Sequence, residues 1–313
     1  MVPDALRKFG RKDRLQALLQ PAYLRVRLPD GRSLAVEEYG DPAGPPVLYF
    51  HGWPACRLEG GMIPNLPVRL LAFDRPGYGR SSPSPGRTLL DWPRDVAVVA
   101  DLLGLKQFHV VGLSGGAPYA AACAYALPDR VLGLALVSPV PPPDLVPRRA
   151  PGVGHLFRLG RHPRLAYRLF TLVRPLLRRR IITPRTIVGR NLPEADRAML
   201  NRATLAGLGL VWREGLGRGI QGALSDAQIY ARDWGFPLSA IHTPTSLWFG
   251  AADSLIPRAA LASFDAIAGL RLHILEHEGH YSLALRHSAA VLAELLSPAR
   301  PPVQLSSSLS QYR

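Results

Sequence analysis

Short, continuously apolar runs alternate along this chain with longer stretches in which apolar residues recur every three or four positions. Tyr23 to Leu28 and Leu34 to Tyr39 alternate apolar with polar residues around the turn Pro29-Asp30-Gly31, which predicts a β-hairpin. Residues 46–50, 68–73, 108–113 and 131–137 are almost wholly apolar, as strands buried on both faces are. Residues 91–103 place Val96, Val99, Ala100 and Leu103 at helical spacing, and the Ala-rich run 118–127 predicts a second helix. Strand-like runs resume at 244–249 and 270–275, with helices expected over 258–268 and 282–296. The alternation predicts an α/β fold, a mostly parallel central sheet with helices on both faces. In such sheets functional residues gather beyond the carboxyl ends of the strands.

The pattern changes at Pro139. Pro141, Pro142, Pro143 and Pro147 interrupt the chain, and Leu156, Phe157, Leu165, Leu169, Phe170, Val173 and Leu177 then suggest amphipathic helices. Residues 139–236 are therefore expected to form an inserted helical cap, with 23–138 and 237–297 as the core. Leu6, Phe9, Leu15, Leu18 and Leu19 among basic residues predict a helical extension over 1–22 that packs on its own domain. The Pro- and Ser-rich stretch 298–313 is expected to be disordered.

Composition narrows the possibilities. Of 313 residues 47% are hydrophobic, enough for a sizeable core. The net charge is +15, and 35 of the 38 basic residues are arginine, since only Lys8, Lys12 and Lys106 are lysine. Residues 141–240 hold 17 Arg against 6 acidic residues, so most of the excess lies in the expected cap. Such a balance favours anionic partners. No nucleic-acid-binding motif accompanies it and aromatic residues are not interleaved with the arginines, so it reads as a solvated basic face with no nucleic-acid role. No run of ~18 uncharged apolar residues predicts stable membrane insertion. The first residues lack a secretory signal pattern, and Cys56 and Cys123 read as packed thiols, so a cytoplasmic location is expected.

One stretch carries chemistry. Gly112-Leu-Ser-Gly-Gly116 lies between a predicted strand and a predicted helix and matches G-x-S-x-G, a turn that lifts a serine hydroxyl out of the sheet. Gly112 and Gly116 give the turn its small residues. Serine is a weak nucleophile and needs a base that is itself oriented by an acid. Asp253 and then His280 follow in the chain, each after a predicted strand, so Ser114, Asp253 and His280 can converge on one edge. The Gly279-His280 pair favours His280 over His277 and His287. Asp226 and Asp233, at the border of the expected cap, read as solvated, and Cys123 as core.

Together with His51-Gly-Trp-Pro54, Asp74-Arg-Pro-Gly-Tyr-Gly-Arg-Ser-Ser82, Gly250-Ala-Ala-Asp253 and Pro257, these motifs make residues 23–297 resemble the α/β-hydrolase fold superfamily. The resemblance implies an oxyanion hole built from the backbone N–H groups of Trp53 and Gly115. It also implies loop support from His51 and Gly52, an acyl pocket lined by the Trp53 side chain, and a mainly structural role for Asp74. Arg75 and Tyr78 are expected to border the pocket. No metal or organic cofactor is implied. The related epoxide hydrolases and haloalkane dehalogenases place an aspartate where Ser114 stands, and the Gly-Gly-Ser-Trp-Gly elbow of proline iminopeptidases is absent. The expected activity is hydrolysis of a carboxylic ester or related acyl bond of a small molecule through an acyl-enzyme on Ser114. Alternatives on the same three residues are a carbon–carbon bond hydrolase of meta-cleavage type, a perhydrolase or haloperoxidase-like enzyme, and an acyltransferase. A non-catalytic small-ligand receptor is the alternative of another class.

Overall fold

A computed structural model describes residues 23–64, 66–147, 150, 152–179 and 192–297. The expected N-terminal extension and C-terminal tail lie outside these residues. The strands are β1 (Leu24–Arg27), β2 (Ser33–Gly40), β3 (Pro46–Phe50), β4 (Arg69–Phe73), β5 (Phe108–Leu113), β6 (Val131–Val137), β7 (Thr245–Gly250) and β8 (Arg271–Leu275). They form one sheet in the order β1-β2-β4-β3-β5-β6-β7-β8. β2 runs antiparallel to both β1 and β4, and from β4 to β8 all neighbours are parallel.

Two-residue periodicity divides the core between the two faces of the sheet. Phe108 and Val110 of β5 join Phe50 and Phe73 in the larger cluster, covered by α1 (Trp92–Leu102) and α2 (Ala117–Ala126). Trp92 packs edge-to-face on Phe50 and Phe73 with ring centroids 5.2 and 5.7 Å apart. Its burial beneath the sheet follows from Pro93 at the helix start and from Val96, Val99 and Ala100 on the same stripe. Val111 faces the other way, with Tyr49, Leu70 and Val137, into a smaller cluster closed by two C-terminal helices.

Among the described residues five helices lie between β6 and β7: α3 (Val153–Arg161), α4 (Pro163–Arg178), α5 (Glu194–Met199), α6 (Arg202–Gly215) and α7 (Gln221–Tyr230). Ala166 and Phe170 of α4 pack inward on Leu216, Ile220 and Ala223, while Leu165, Leu169 and Leu172 are exposed.

Two expected helices differ. Residues 258–266 form a 3₁₀ stretch, in which Ser263 Oγ donates to the carbonyl of Ala260 at 2.7 Å, three residues back. The last helix is two helices, α8 (His280–Arg286) and α9 (Ser288–Leu296), broken at His287. Glu278 accepts from Arg286 at 3.2 Å and pairs with the His287 ring at 3.1 Å, drawing the break back toward the preceding loop.

Candidate active site

The main functional residues expected from the sequence sit beyond strand ends. His51 to Trp53 follow β3, Asp74 and Arg75 follow β4, Ser114 follows β5, Asp253 follows β7 and His280 follows β8. Because β3 to β8 run parallel, these ends share one edge.

Ser114 adopts φ +50°, a left-handed conformation that a non-glycine residue takes only when its surroundings impose it. Packing supplies the constraint. A Cβ on Gly116 would collide with the carbonyl of Phe50, and one on Gly112 would lie 2.5 Å from Ala117 Cα. Strand β5 and helix α2 therefore close on the turn from both sides, with Ser114 at its apex. The Ser114 carbonyl accepts from Val140 N at 3.1 Å, which ties the turn to the chain after β6.

Asp253 and His280 are joined directly. Asp253 Oδ2 lies 2.7 Å from His280 Nδ1, and Asp253 Oδ1 accepts from the N–H groups of Leu255 and Ile256 at 2.8 and 3.0 Å. The loops carrying them are bonded too, through Ala252 N to the Glu278 carbonyl at 3.0 Å. Burial of the His280 ring opposes its charged form. The Asp253 carboxylate, with Asp196 and Glu59 adding to it, outweighs burial and holds the pKa above the ordinary histidine value. Neither rival histidine is placed this way: His277 is exposed, and His287 pairs with Glu278.

Trp53 and Gly115 lie close together. A Cβ on Gly115 would be 2.9 Å from Trp53 Cβ, and one on Gly52 would be 3.7 Å from Ser114 Cβ. His51, fully buried, receives the Arg75 N–H on Nε2 at 3.3 Å, so Nδ1 carries the proton and donates to the Gly52 carbonyl at 2.7 Å. Burial and the adjacent Arg75 guanidinium push its pKa well below the ordinary value, which keeps the ring neutral. His51 thus holds the loop. Asp74 holds the next one, accepting from the N–H groups of Arg57 and Arg80 at 2.7 and 2.8 Å.

Ser114, His280, Gly52 and Trp53 line a cavity of about 280 Å³ whose other walls are mostly apolar. Val153, Leu156, Leu208 and Trp212 of α3 and α6 form its outer part. Trp53 is pinned by its indole N–H to the Ala223 carbonyl at 3.1 Å and edge-to-face against Phe170. Among the described residues no group of three or more His, Cys, Asp or Glu is placed to hold a metal ion. Nor is any described helix long and apolar enough to cross a membrane.

Two expectations are corrected. Asp226 is not solvated: it is fully buried. It accepts from Arg75 Nη2 at 2.8 Å, from the Tyr78 hydroxyl at 2.9 Å, and from Arg87 and Tyr119, and the Tyr230 oxygen lies 2.9 Å away. Burial alone would raise its pKa, but Arg75 and Arg87 overcome this and hold it below the ordinary carboxylate value. Arg75 and Tyr78 do not border the cavity, because Asp226 draws both beneath the loops; Arg75 is fully buried there. From that position Arg75 donates to the carbonyls of His51 and Gly52, and Tyr230 donates to the Gly115 carbonyl at 2.6 Å. One buried carboxylate therefore organises both stretches of backbone that flank Ser114. Asp233, by contrast, is exposed.

Two further carboxyl groups escaped the sequence reading. Asp196, on α5, is fully buried and accepts from the N–H groups of His280, Tyr281 and Ser282 at 3.1, 3.0 and 2.8 Å, capping α8 from a distant part of the chain. Gly279 permits this, since a Cβ there would lie 2.5 Å from Asp196 Cγ. Glu59 lines the cavity, accepts from Gly52 N and the Tyr49 hydroxyl at 2.7 and 3.0 Å, and has its carboxyl pKa pushed up by burial. No local pattern marks Asp196 or Glu59. Asp226 and Tyr230 stand one helical turn apart, a spacing consistent with one shared face.

The chain is 37% identical over 123 residues to a non-heme chloroperoxidase of Streptomyces lividans, covering 37% of this chain and 45% of that protein. It is 36% identical over 107 residues to a proline iminopeptidase of Neisseria gonorrhoeae, covering 32% and 34%. The chain thus spans less than half the length of these relatives. A hydrolase from Pseudomonas aeruginosa superposes with a TM-score of 0.66 at 20% identity, covering 88% of this chain and 98% of that one. An esterase from Exiguobacterium antarcticum does so with a TM-score of 0.63 at 20% identity, covering 87% and 99%. At that identity the likeness is one of fold. The model of the α/β-hydrolase fold matches residues 45–286, more than half of the chain and all the strand ends described above, and the chain belongs to this family.

Proposed function

We propose that the protein is a serine hydrolase that cleaves a carboxylic ester or related acyl bond of a small molecule. The observation that carries this reading is the placement of Ser114, held at φ +50° beyond β5, in one cavity with a His280 ring bonded through Nδ1 to Asp253. Asp253 fixes the tautomer that leaves His280 Nε2 free to accept a proton. In the first step the Ser114 oxygen attacks the acyl carbon while His280 takes the hydroxyl proton. The bond to the leaving alcohol then breaks, and the alcohol carries that proton away. In the second step water gives a proton to His280 and attacks the same carbon, and Ser114 recovers the proton as the acyl–serine bond breaks.

Negative charge on the carbonyl oxygen is met by the N–H groups of Trp53 and Gly115, each contributing roughly 3–4 kcal/mol in such sites. The helices between β6 and β7 act as a cap, since α3 and α6 wall the cavity. Labelling by a fluorophosphonate, read by intact mass on wild type and Ser114→Ala, tests the reading. A single adduct on wild type that is absent from the variant is expected. A well-folded wild type that takes no adduct would leave the ligand-receptor alternative as the better one.

A further inference from the structure

The connection between β3 and β4 carries no α-helix among its described residues. Parallel strands are joined by crossovers of a dozen or more residues, usually with a helix laid on the sheet. Here the regular part is a 3₁₀ turn, Arg57–Met62. The neighbouring surface of β3, β5 and β6 is left to α8 and α9, and the cavity extends into the space between. Past Ser114 and His280 it continues along this face to Val111, Val137 and Leu292, with Ile63, Ala284 and Leu285 at its sides. Val111 precedes Ser114 by three residues on the strand that carries it, so this arm is ~10 Å deep at about 3.3 Å per residue.

We propose that this arm is a subsite for a linear hydrocarbon chain on the acyl side of the substrate. The substrates are then esters of unbranched aliphatic acids of roughly six to ten carbons, the length that fills ~10 Å. The inference rests on the acyl-transfer reading above. The chemistry assigns the arm to the acyl group and not to the alcohol. The acyl carbon stays bonded to Ser114 between the two steps, so its chain can remain deep in the fold throughout. The alcohol must leave before water reaches the same carbon. Glu59, beside the Gly52 N–H, and Ser288 are polar groups in a wall that otherwise offers such a chain mostly apolar contact.

Two ester series test the assignment. kcat/KM for p-nitrophenyl esters is expected to rise roughly fourfold per methylene from acetate to octanoate, the value of burying one such group. Alkyl acetates from methyl to octyl are expected to show no such rise. Ala284→Leu, which fills the arm, should lower the ratio of decanoate to acetate kcat/KM about tenfold. An unchanged ratio, a preference for acetate, or a rise confined to the alkyl acetates would overturn the proposal. A readout that needs no turnover separates it from the hydrolase reading: thermal stabilisation of Ser114→Ala by 2-dodecanone against 2-butanone. Preferential stabilisation by the longer ketone that is lost in Ser114→Ala/Ala284→Leu supports the arm even if no ester is cleaved. Equal effects of the two ketones would sink it.

Discussion

Two buried carboxylates, Asp253 and Asp226, stand on either side of Ser114 and do different work. Asp253 has one ionisable partner, the ring of His280, and two backbone N–H groups of its own loop. Asp226 faces two guanidiniums and three phenols drawn from four stretches of chain. The first arrangement leaves the histidine free to exchange a proton toward the cavity. The second has no group open to the cavity, and its hydrogen bonds end on the carbonyls of His51, Gly52 and Gly115. The difference teaches that a carboxylate can serve a reaction by setting a base or by setting backbone. Two guanidiniums against one carboxylate also leave positive charge beneath the Gly52–Trp53 peptide, on the side where an oxyanion would be stabilised.

The contrast can be broken most decisively at the residues proposed to react. Ser114→Ala is expected to lower kcat by roughly 10⁴- to 10⁶-fold with an unchanged unfolding midpoint. Asp253→Asn is expected to cost about 10⁴-fold in kcat through the wrong tautomer of His280. A small effect of Asp253→Asn would mean that Asp253 and Asp226 do not divide their work as described.

Asp226→Ala should act first on stability. It leaves Arg75 and Arg87 buried without their carboxylate, a loss of about 3–5 kcal/mol measurable by denaturant unfolding. A change below 1 kcal/mol would show that the buried cluster does not depend on its carboxylate. Tyr230→Phe is the finer probe, because it removes the hydroxyl that reaches both Asp226 and the Gly115 carbonyl. About 1–3 kcal/mol of stability is expected to go, together with a fall in kcat larger than any change in KM. A fall in stability with kcat untouched would make Tyr230 purely structural.

The last test uses pH. His280 must be neutral to accept a proton, and its folded pKa is raised. kcat/KM should therefore be full at high pH and fall tenfold per unit below a midpoint lying above about 6.5, the ordinary histidine value. A midpoint at or below that value would contradict the Asp253–His280 coupling. The neutral His51, whose pKa is depressed, would contribute no limb in that range.

Much of this was legible in the residues themselves. All eight strands among the described residues arise from short apolar or alternating runs. Ser114, Asp253 and His280 were singled out because each follows such a run and stands in a recognisable turn or order. These signals need only a few adjacent residues, which is why composition and spacing carry them. The N-terminus of the last helix was misjudged at Ser282, because the partner that starts it at His280 is Asp196, 84 residues earlier. Asp226 was read as solvated because it lies near the border of the expected cap. Nothing local indicates that Arg75, 151 residues away, will meet it.

The sequence by itself determined the sheet, the serine turn and the order of the three residues around it, because backbone preference and apolar periodicity act over neighbours. Tertiary structure decided which carboxylates are buried, how the loops at the strand ends are bonded to one another, and how far the cavity runs beneath His280. Those depend on charges and surfaces from remote segments meeting in a low-dielectric interior, where a carboxylate is tolerated only with its partners in place.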